Sequence, residues 1–439
     1  MLTNNVKGTH DVIGEEANGY AYIENLLKQI CDLFAYNEVR PPVIEHSELF
    51  VRGVGEGSDI VRKEMYTFND KADRSITLRP EFTAGIMRLI VQNKLLATNE
   101  LPYKAFYLGP VFRYERPQLG RYRQFNQFGV EAVGVNSPEV DVEAIILSYT
   151  ILSSLNLDGV KIVVNTIGDD ESRTNYKNAL KAYFAKYLDK MCPDCHSRFE
   201  LNPLRILDCK VPEDQEIVKD APKMKDYLSD AAKERFARVL KLLDDQGIPY
   251  EVDETLVRGL DYYAETVFEC HYVSKLGNDY GAIGGGGHYD KLVKELGGPD
   301  VQGVGFSFGI ERLYSVLKDD GLLPDGMNNP VEIYVMPIGE QAKSLAMSVA
   351  SNLRLSGYRT DMCYEDVKLA NMFKRAERKG AMFAVIIGED EVAKEEVVIK
   401  NLKTTEQKSC ALDDLIETIS FEMGDECCDG TCSCKKEGK

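Results

Sequence analysis

The stretch GPVFRYERPQLGRYRQF, residues 109–125, sets Arg113, Arg116, Arg121 and Arg123 around one carboxylate, Glu115, among aromatic residues. A guanidinium is a permanently charged, rigid fork of donors, so several in one segment suit carboxylate or phosphate oxygens. The chain as a whole is acidic, with a formal net charge of -18. Indiscriminate phosphate binding goes with a basic excess, so these arginines imply a local anion site rather than general basicity.

Side chains on a strand alternate between faces. In RQFNQFGVEAVG this puts Gln127, Gly129 and Glu131 on one face and the core-forming Phe128, Val130 and Ala132 on the other. The first face is an amide and a carboxylate flanking a glycine, where a small ligand can lie against the backbone. The same alternation pairs Glu81 with Thr83 in TLRPEFTAG and Arg113 with Glu115 in FRYER. One such pair alone means a solvated sheet face. Several from strands of one sheet would form an acidic, hydrogen-bonding floor for a cationic amine, with Arg113 supplying donors for carboxylate or phosphate.

LVRGLDYY adds Arg258 in an apolar, glycine-flanked setting beside Tyr262 and Tyr263. An arginine there needs an anion, and an internal carboxylate and a ligand are both open. The four glycines at 284–287 in GAIGGGGHYD lack the helix and acidic residue of a dinucleotide fingerprint. No GxxxxGK[ST] occurs, which argues against a P-loop. On a strand these glycines admit a ligand against bare backbone; the bland reading is a flexible turn.

Cysteines form a second group. CPDC, at Cys192 and Cys195, is followed by Cys209 in LDCK, with His196 as a candidate fourth ligand for zinc. Cys31, Cys270, Cys363 and Cys410 read as buried free thiols. Cys427, Cys428, Cys432 and Cys434 crowd a C-terminal tail, 424–439, that reads as disordered and open to opportunistic metal binding.

Elements must carry these groups. The apolar spacing of Ile23, Leu26, Leu27, Ile30, Leu33 and Phe34 predicts a helix over 15–35. NEVRPPVIEHSELF reads as extended chain at a sheet edge, and SITLRPEFTAG, KAFYLGPVFRYER and RQFNQFGVEAVG as a mostly antiparallel set of strands. Ser137 and Pro138 are the N-cap and first residue of another helix. Charged helical stretches over about 170–245 read as an insertion. After residue 330, strands alternate with helices in a compact α/β unit ending near 421. A length of 439 residues with 44% apolar content predicts two or three domains. No signal-peptide core and no apolar run of membrane-spanning length occurs, so a cytoplasmic protein is expected.

Together these segments resemble the class II aminoacyl-tRNA synthetases, in their histidyl version. NEVRPPVIEHSELF is similar to the first class motif, at the dimer interface, PVFRYERPQLGRYRQFNQFGVE to the second and GVGFSFGIERL to the third. LVRGLDYY and GAIGGGGHYD resemble the two segments peculiar to the histidine enzymes.

The resemblance implies an α+β fold. Residues 1–325 would be an antiparallel catalytic core with the helical insertion, and 330–421 an anticodon-binding domain. It implies L-histidine, ATP with Mg2+ and histidine tRNA as reactants, and a homodimer away from membranes. Glu81, Thr83, Gln127, Glu131, Tyr262 and Tyr263 would hold histidine, with Arg113 and Arg258 at its carboxylate and the α-phosphate. Glu115 would read adenine, and Arg121 and Arg312 the terminal phosphates. Gln118, Arg116, Arg123, Lys374 and Arg375 would face tRNA. The resemblance gives the catalytic site no metal ligand of its own; zinc remains a candidate only for the CPDC element. Two positions depart from the pattern: His288 where arginine is usual and Phe82 where glycine is common. The competing expectation is a catalytically silent regulatory paralogue of ATP phosphoribosyltransferase, against which Arg113, Arg258, Arg312 and the C-terminal unit speak.

Overall fold

The computed structural model describes residues 3–55, 58–97, 100–117, 120–324 and 330–424. The chain divides into two compact units, Met1–Asp325 and Gly326–Lys439.

The larger unit is built on an eight-stranded sheet. Its spatial order is Asn37–Glu38, Tyr103–Phe112, Gln124–Val133, Gly303–Gly309, Asp279–Tyr289, Tyr263–Val273, Lys161–Thr166 and Tyr250–Val252. The six inner strands pair antiparallel, and only the two short edge strands run parallel to their neighbours. Alternation decides what each face does. Phe128, Val130 and Ala132, with Val304, Phe306 and Phe308 of the neighbouring strand, join one apolar core with residues of the helices Glu15–Leu33, Pro138–Ser154 and Ile310–Asp319. Gln127, Glu131 and Ser307 line a cavity instead. The helix start at Ser137 is as expected: the serine hydroxyl accepts from the Glu139 amide, with Pro138 as first residue.

Four sequence expectations change. The strand Ser75–Leu78 does not join the large sheet but forms a three-stranded one with Ile44–His46 and Tyr66–Asn69. Thr83 does not continue it either, because Thr83–Gln92 is a helix. The amides of Thr83 and Ala84 donate to the Glu81 carboxylate at 2.6 and 2.9 Å, so that acid closes the helix end that strand alternation overlooked. Arg113 and Glu115 lie beyond their strand, which stops at Phe112. SELF opens the helix Ser47–Val54 rather than extending the chain.

In the insertion, the helices Asp170–Phe184 and Asp230–Asp245 enclose two shorter ones, Pro193–Leu201 and Pro212–Lys219. Its small apolar core includes Tyr176, Leu180, Phe184, Ile206 and the Cys195 and Cys209 thiols.

The second unit has a five-stranded sheet in the order Thr360–Met362, Ile333–Pro337, Phe383–Ile387, Glu396–Asn401, Gln407–Ala411. The first three strands are parallel and the last two pairings antiparallel. The strand Gln407–Ala411 and the helix Glu389–Lys394 carry too little apolar periodicity to be read from sequence. Cys31, Cys270 and Cys363 are buried free thiols, whereas Cys410 is only half-buried. Among the described residues no helix is long and apolar enough to cross a membrane.

Candidate active site

A cavity of about 440 Å3 opens on the sheet face that carries Gln127 and Glu131. Arg113, Arg258 and Arg312, from three distant segments, all line it, together with Arg121 and Arg205. Its floor carries Glu81, Thr83, Gln127, Glu131, Tyr262 and Tyr263, so the polar groups expected to meet do meet, although two arrive from a helix start rather than a strand.

Glu131 is almost fully buried and accepts from the Tyr107 and Tyr289 hydroxyls at 3.3 and 2.9 Å. Burial pushes its carboxyl up to about 8. Burial also raises Glu81, against the pull of its two backbone amides. Among the described ion pairs, neither acid has a cation. The Gln127 amide donates to Ser307 Oγ at 2.9 Å, which leaves its buried Oε1 without a partner.

Arg258 answers both readings of a buried arginine. It pairs with Glu269 and stands 5.6 Å from the centre of the Tyr263 ring, yet it lines the cavity and keeps a buried, unpartnered Nε. Arg113 donates Nε to the Pro80 carbonyl at 2.8 Å, and Arg312 donates to the Ala282 carbonyl at 2.6 Å. Both are aimed by backbone and spend no carboxylate on it. Arg121, half exposed, stands 3.8 Å from Glu115. Glu311, pushed up to about 7 by burial, accepts from the Asn126 amide at 2.8 Å on the same cavity wall.

Other expected groups lie elsewhere. Arg123 is outside the cavity lining, its guanidinium 3.8 Å from the Tyr114 ring and bonded to the Glu115 carbonyl at 3.3 Å. Arg116 is exposed and also outside the lining. Gln118 and the four tail cysteines lie outside the described residues. In the second unit Lys374 is exposed, while Arg375 pairs with Glu365 at 2.7 Å. The Cys192, Cys195 and Cys209 thiols do converge; the fourth group is Asp214, and His196 is exposed.

The glycines act differently from expectation. A Cβ on Gly129 would stand 2.3 Å from the Tyr107 hydroxyl, so a tyrosine, not a ligand, occupies the space above it. A Cβ on Gly285 would come within 2.9 Å of Arg258 Nη1, so this glycine admits the arginine to the wall. Sequence reasoning missed Tyr107, Tyr289, Glu311 and Arg205. Tyr107 was within reach, since it shares a strand face with Gly109 and sits opposite Gly129, a glycine that calls for a large neighbour. Arg205 gave no signal, because the insertion has no pattern tying it to the pocket.

The profile of the histidyl-tRNA synthetase family matches residues 8–313, and that of the anticodon binding domain matches residues 332–422. The histidine–tRNA ligase of Bacillus velezensis is 44% identical over 421 residues, 95% of this chain and 98% of its own. That of Bacillus subtilis is 43% identical over 423 residues, 95% and 99%.

The chain belongs to the histidyl-tRNA synthetase family.

Among solved structures, apo histidyl-tRNA synthetase of S. aureus matches with a TM-score of 0.80 at 36% identity, covering 95% of this chain and 99% of that one. A Bacillus halodurans protein described as an ATP phosphoribosyltransferase regulatory subunit/histidyl-tRNA synthetase matches with a TM-score of 0.62 at 20% identity, covering 88% and 98%, and so shares the fold.

The two departures from the family pattern have local explanations. Phe82 is buried, stacked 4.4 Å from Tyr107 and 3.8 Å from the Arg79 guanidinium, so the larger residue closes a column behind Glu131. His288 is buried and bonds through Nδ1 to Asp141 at 2.9 Å, while Asp290 lies 3.2 Å from its Nε2, off the hydrogen-bond axis. Asp141 also accepts from Arg235 at 2.8 Å and from the Thr266 hydroxyl at 2.9 Å. The Asp141 carboxylate pushes His288 up to about 9 despite its burial, so a cationic imidazole suits this position.

Proposed function

We propose that the chain activates L-histidine with ATP and transfers it to the 3′ end of a histidine tRNA. The observation that supports this most directly is the meeting of Arg113, Arg258 and Arg312 above an acid and amide floor in one cavity. In the first step a carboxylate oxygen of histidine attacks the α-phosphorus of ATP. The O–P bond forms as the bond to the pyrophosphate oxygen breaks, and pyrophosphate leaves with the electron pair. The nucleophile is already ionised, so no protein base is required; alignment and charge compensation are.

On this reading Arg258 bridges the histidine carboxylate and the α-phosphate, and Arg113 holds the α-phosphate from the other side. Arg121 and Arg312 hold the terminal phosphates, and Glu115 takes the adenine amino group. The histidine ammonium and imidazole fill what the floor lacks. Glu81 and Glu131 gain a cation, and Gln127 Oε1 gains a donor beside Thr83, Tyr262 and Tyr263. A site that leaves such groups unpaired without the right ligand rejects analogues strongly. Magnesium entering with ATP would neutralise phosphate charge, and the Glu311 carboxylate on that wall is the kind of hard oxygen donor that would face it.

In the second step a terminal ribose hydroxyl of the tRNA attacks the histidyl carbonyl carbon; the ester C–O bond forms as the bond to the phosphate oxygen breaks, AMP leaves with the electron pair, and the hydroxyl proton is released to the phosphate or water. Arg116, Gln118 and Arg123 would attend the acceptor end, and Lys374 and Arg375 the body of the tRNA. The edge strand Asn37–Glu38, next to Pro41 and Pro42, is the surface a second copy would use to form a homodimer, read by sedimentation. On this reading the activity belongs in the cytoplasm, where histidine, ATP and tRNA meet.

The test is amino-acid-dependent exchange of pyrophosphate into ATP. Exchange is expected with histidine and with no other standard amino acid; exchange driven by another amino acid, or none at all, rejects the reading.

A further inference from the structure

The insertion holds four donor groups that the reaction does not use. The thiols of Cys192, Cys195 and Cys209 and a carboxylate oxygen of Asp214 all lie within 4.8 Å of one another. Asp214 is fully buried, and Cys195 and Cys209 are buried beside it. The surroundings do not complete this carboxylate. It accepts from the Cys192 amide at 3.2 Å and from the Cys209 thiol at 3.3 Å, and among the described ion pairs none includes it. A carboxylate removed from water without a cation is costly, and thiols are weak donors.

Topology aims all four groups at one point. Cys192 is the N-cap and Cys195 the third residue of the helix Pro193–Leu201. Asp214 is the third residue of the helix Pro212–Lys219, with Cys209 on the approach to it. Two helix starts therefore face each other, each giving two donors. The Cys192 and Cys209 sulfurs are 3.9 Å apart. A tetrahedral zinc ion with Zn–S bonds of about 2.3 Å spaces its sulfurs at about 3.8 Å, whereas a disulfide needs about 2.05 Å. Thiolate donors select a soft or borderline ion, not magnesium or calcium.

We propose that Cys192, Cys195, Cys209 and Asp214 bind one structural Zn2+ ion that fastens the insertion. Binding releases three thiol protons and leaves three thiolates and one carboxylate on the ion. The position gives it a task. The same stretch of chain reaches the pocket, with Arg198 and Arg205 on Asp59 at 3.2 and 3.3 Å and Asn202 on Asp261 at 2.8 Å. Asp59 and Arg205 line the proposed active site. An insertion with so small an apolar core gains most from a staple of this kind, and the zinc would hold one wall of the pocket in place.

The experiment uses the full chain with the tail cysteines changed together, Cys427→Ser, Cys428→Ser, Cys432→Ser and Cys434→Ser, so that bound metal reports on the insertion. Purified under reducing conditions and supplied with zinc, this protein is expected to retain one ion per chain by mass spectrometry of the metal. Adding Cys209→Ser should cut retention at least tenfold. With cobalt in place of zinc, the spectrum should show tetrahedral ligand-field bands and thiolate charge transfer. Asp214→Cys should then keep the metal and raise the charge-transfer intensity by about a third, as three thiolates become four. Absence of retained metal, retention unaffected by Cys209→Ser, or charge transfer unaltered by Asp214→Cys would each overturn the proposal. If Cys209→Ser does not fold, the cobalt comparison still decides.

Discussion

Two buried acidic sites sit back to back on adjacent residues of one strand. Tyr289 reaches the Glu131 carboxylate, and its neighbour His288 reaches Asp141. Both acids are about 1% exposed, yet their carboxyl groups are shifted in opposite directions. Asp141 has Arg235, His288 and a threonine hydroxyl, and these hold its carboxyl below the usual range against the cost of burial. Glu131 has neutral hydroxyls, those of Thr83, Tyr289 and Tyr107, and burial drives it up. A buried charge whose partners are all on the protein belongs to the scaffold, and one whose partners are missing belongs to a ligand.

The largest effect expected from this contrast is on the completed site. Asp141→Asn takes the buried carboxylate from between Arg235 and His288 and should cost about 3–5 kcal/mol of stability, read by denaturant unfolding. A smaller loss would mean that the cluster is not a structural unit. Next, Arg258→Ala should slow histidine-dependent pyrophosphate exchange by about 10²- to 10³-fold, the usual cost of one preorganised donor, with circular dichroism close to that of the parent. An unchanged rate would remove Arg258 from the mechanism. Gly129→Ala forces a methyl against the Tyr107 hydroxyl and should cost about 1–3 kcal/mol, together with weaker histidine binding; a neutral result would mean that the floor has slack.

The subtlest test is pH. Glu131 has a folded value near 8, above the ordinary carboxylate value, so its contribution to stability is fully present below about 4.5 and is lost as pH rises through 8. Glu131→Gln should therefore remove a slope of up to about 1.4 kcal/mol per pH unit within that window from the unliganded chain. It should leave stability at low pH unchanged and abolish histidine-dependent exchange. His288, near 9 when folded, loses its contribution in the same direction but over the later window from about 6.5 to 9. The two sites can thus be told apart on one stability profile, and identical profiles for the parent and Glu131→Gln would contradict the unfinished state of the floor.

The sequence was most readable where a local period coincided with a face. The strand Gln124–Val133 delivered Gln127 and Glu131 to the pocket by alternation, and Ser137 with Pro138 marked a helix start. It was least readable where a side chain acts on a distant backbone. Glu81 looks like a strand residue until its carboxylate is seen capping a helix, and Arg205 has no sequence relation to the segments it joins. Glu115 reached the cavity from a loop that alternation had treated as a strand. The Asp214 ligand escaped notice because spacing within the CPDC element favoured its neighbour His196, whereas folding brought in a residue from the next helix.

The tight seating of side chains on the bare strands has a practical meaning for anyone wishing to retune this enzyme. With Tyr107 pressed on Gly129, Arg258 on Gly285 and the Glu131 carboxylate over Gly305, the base of the chamber cannot be raised or reshaped by adding bulk from beneath. On the proposed reading, acceptance of a different amino acid would have to come from trimming side chains of the floor itself, Gln127, Tyr262 or Tyr263, which makes enlargement the accessible direction and contraction the closed one.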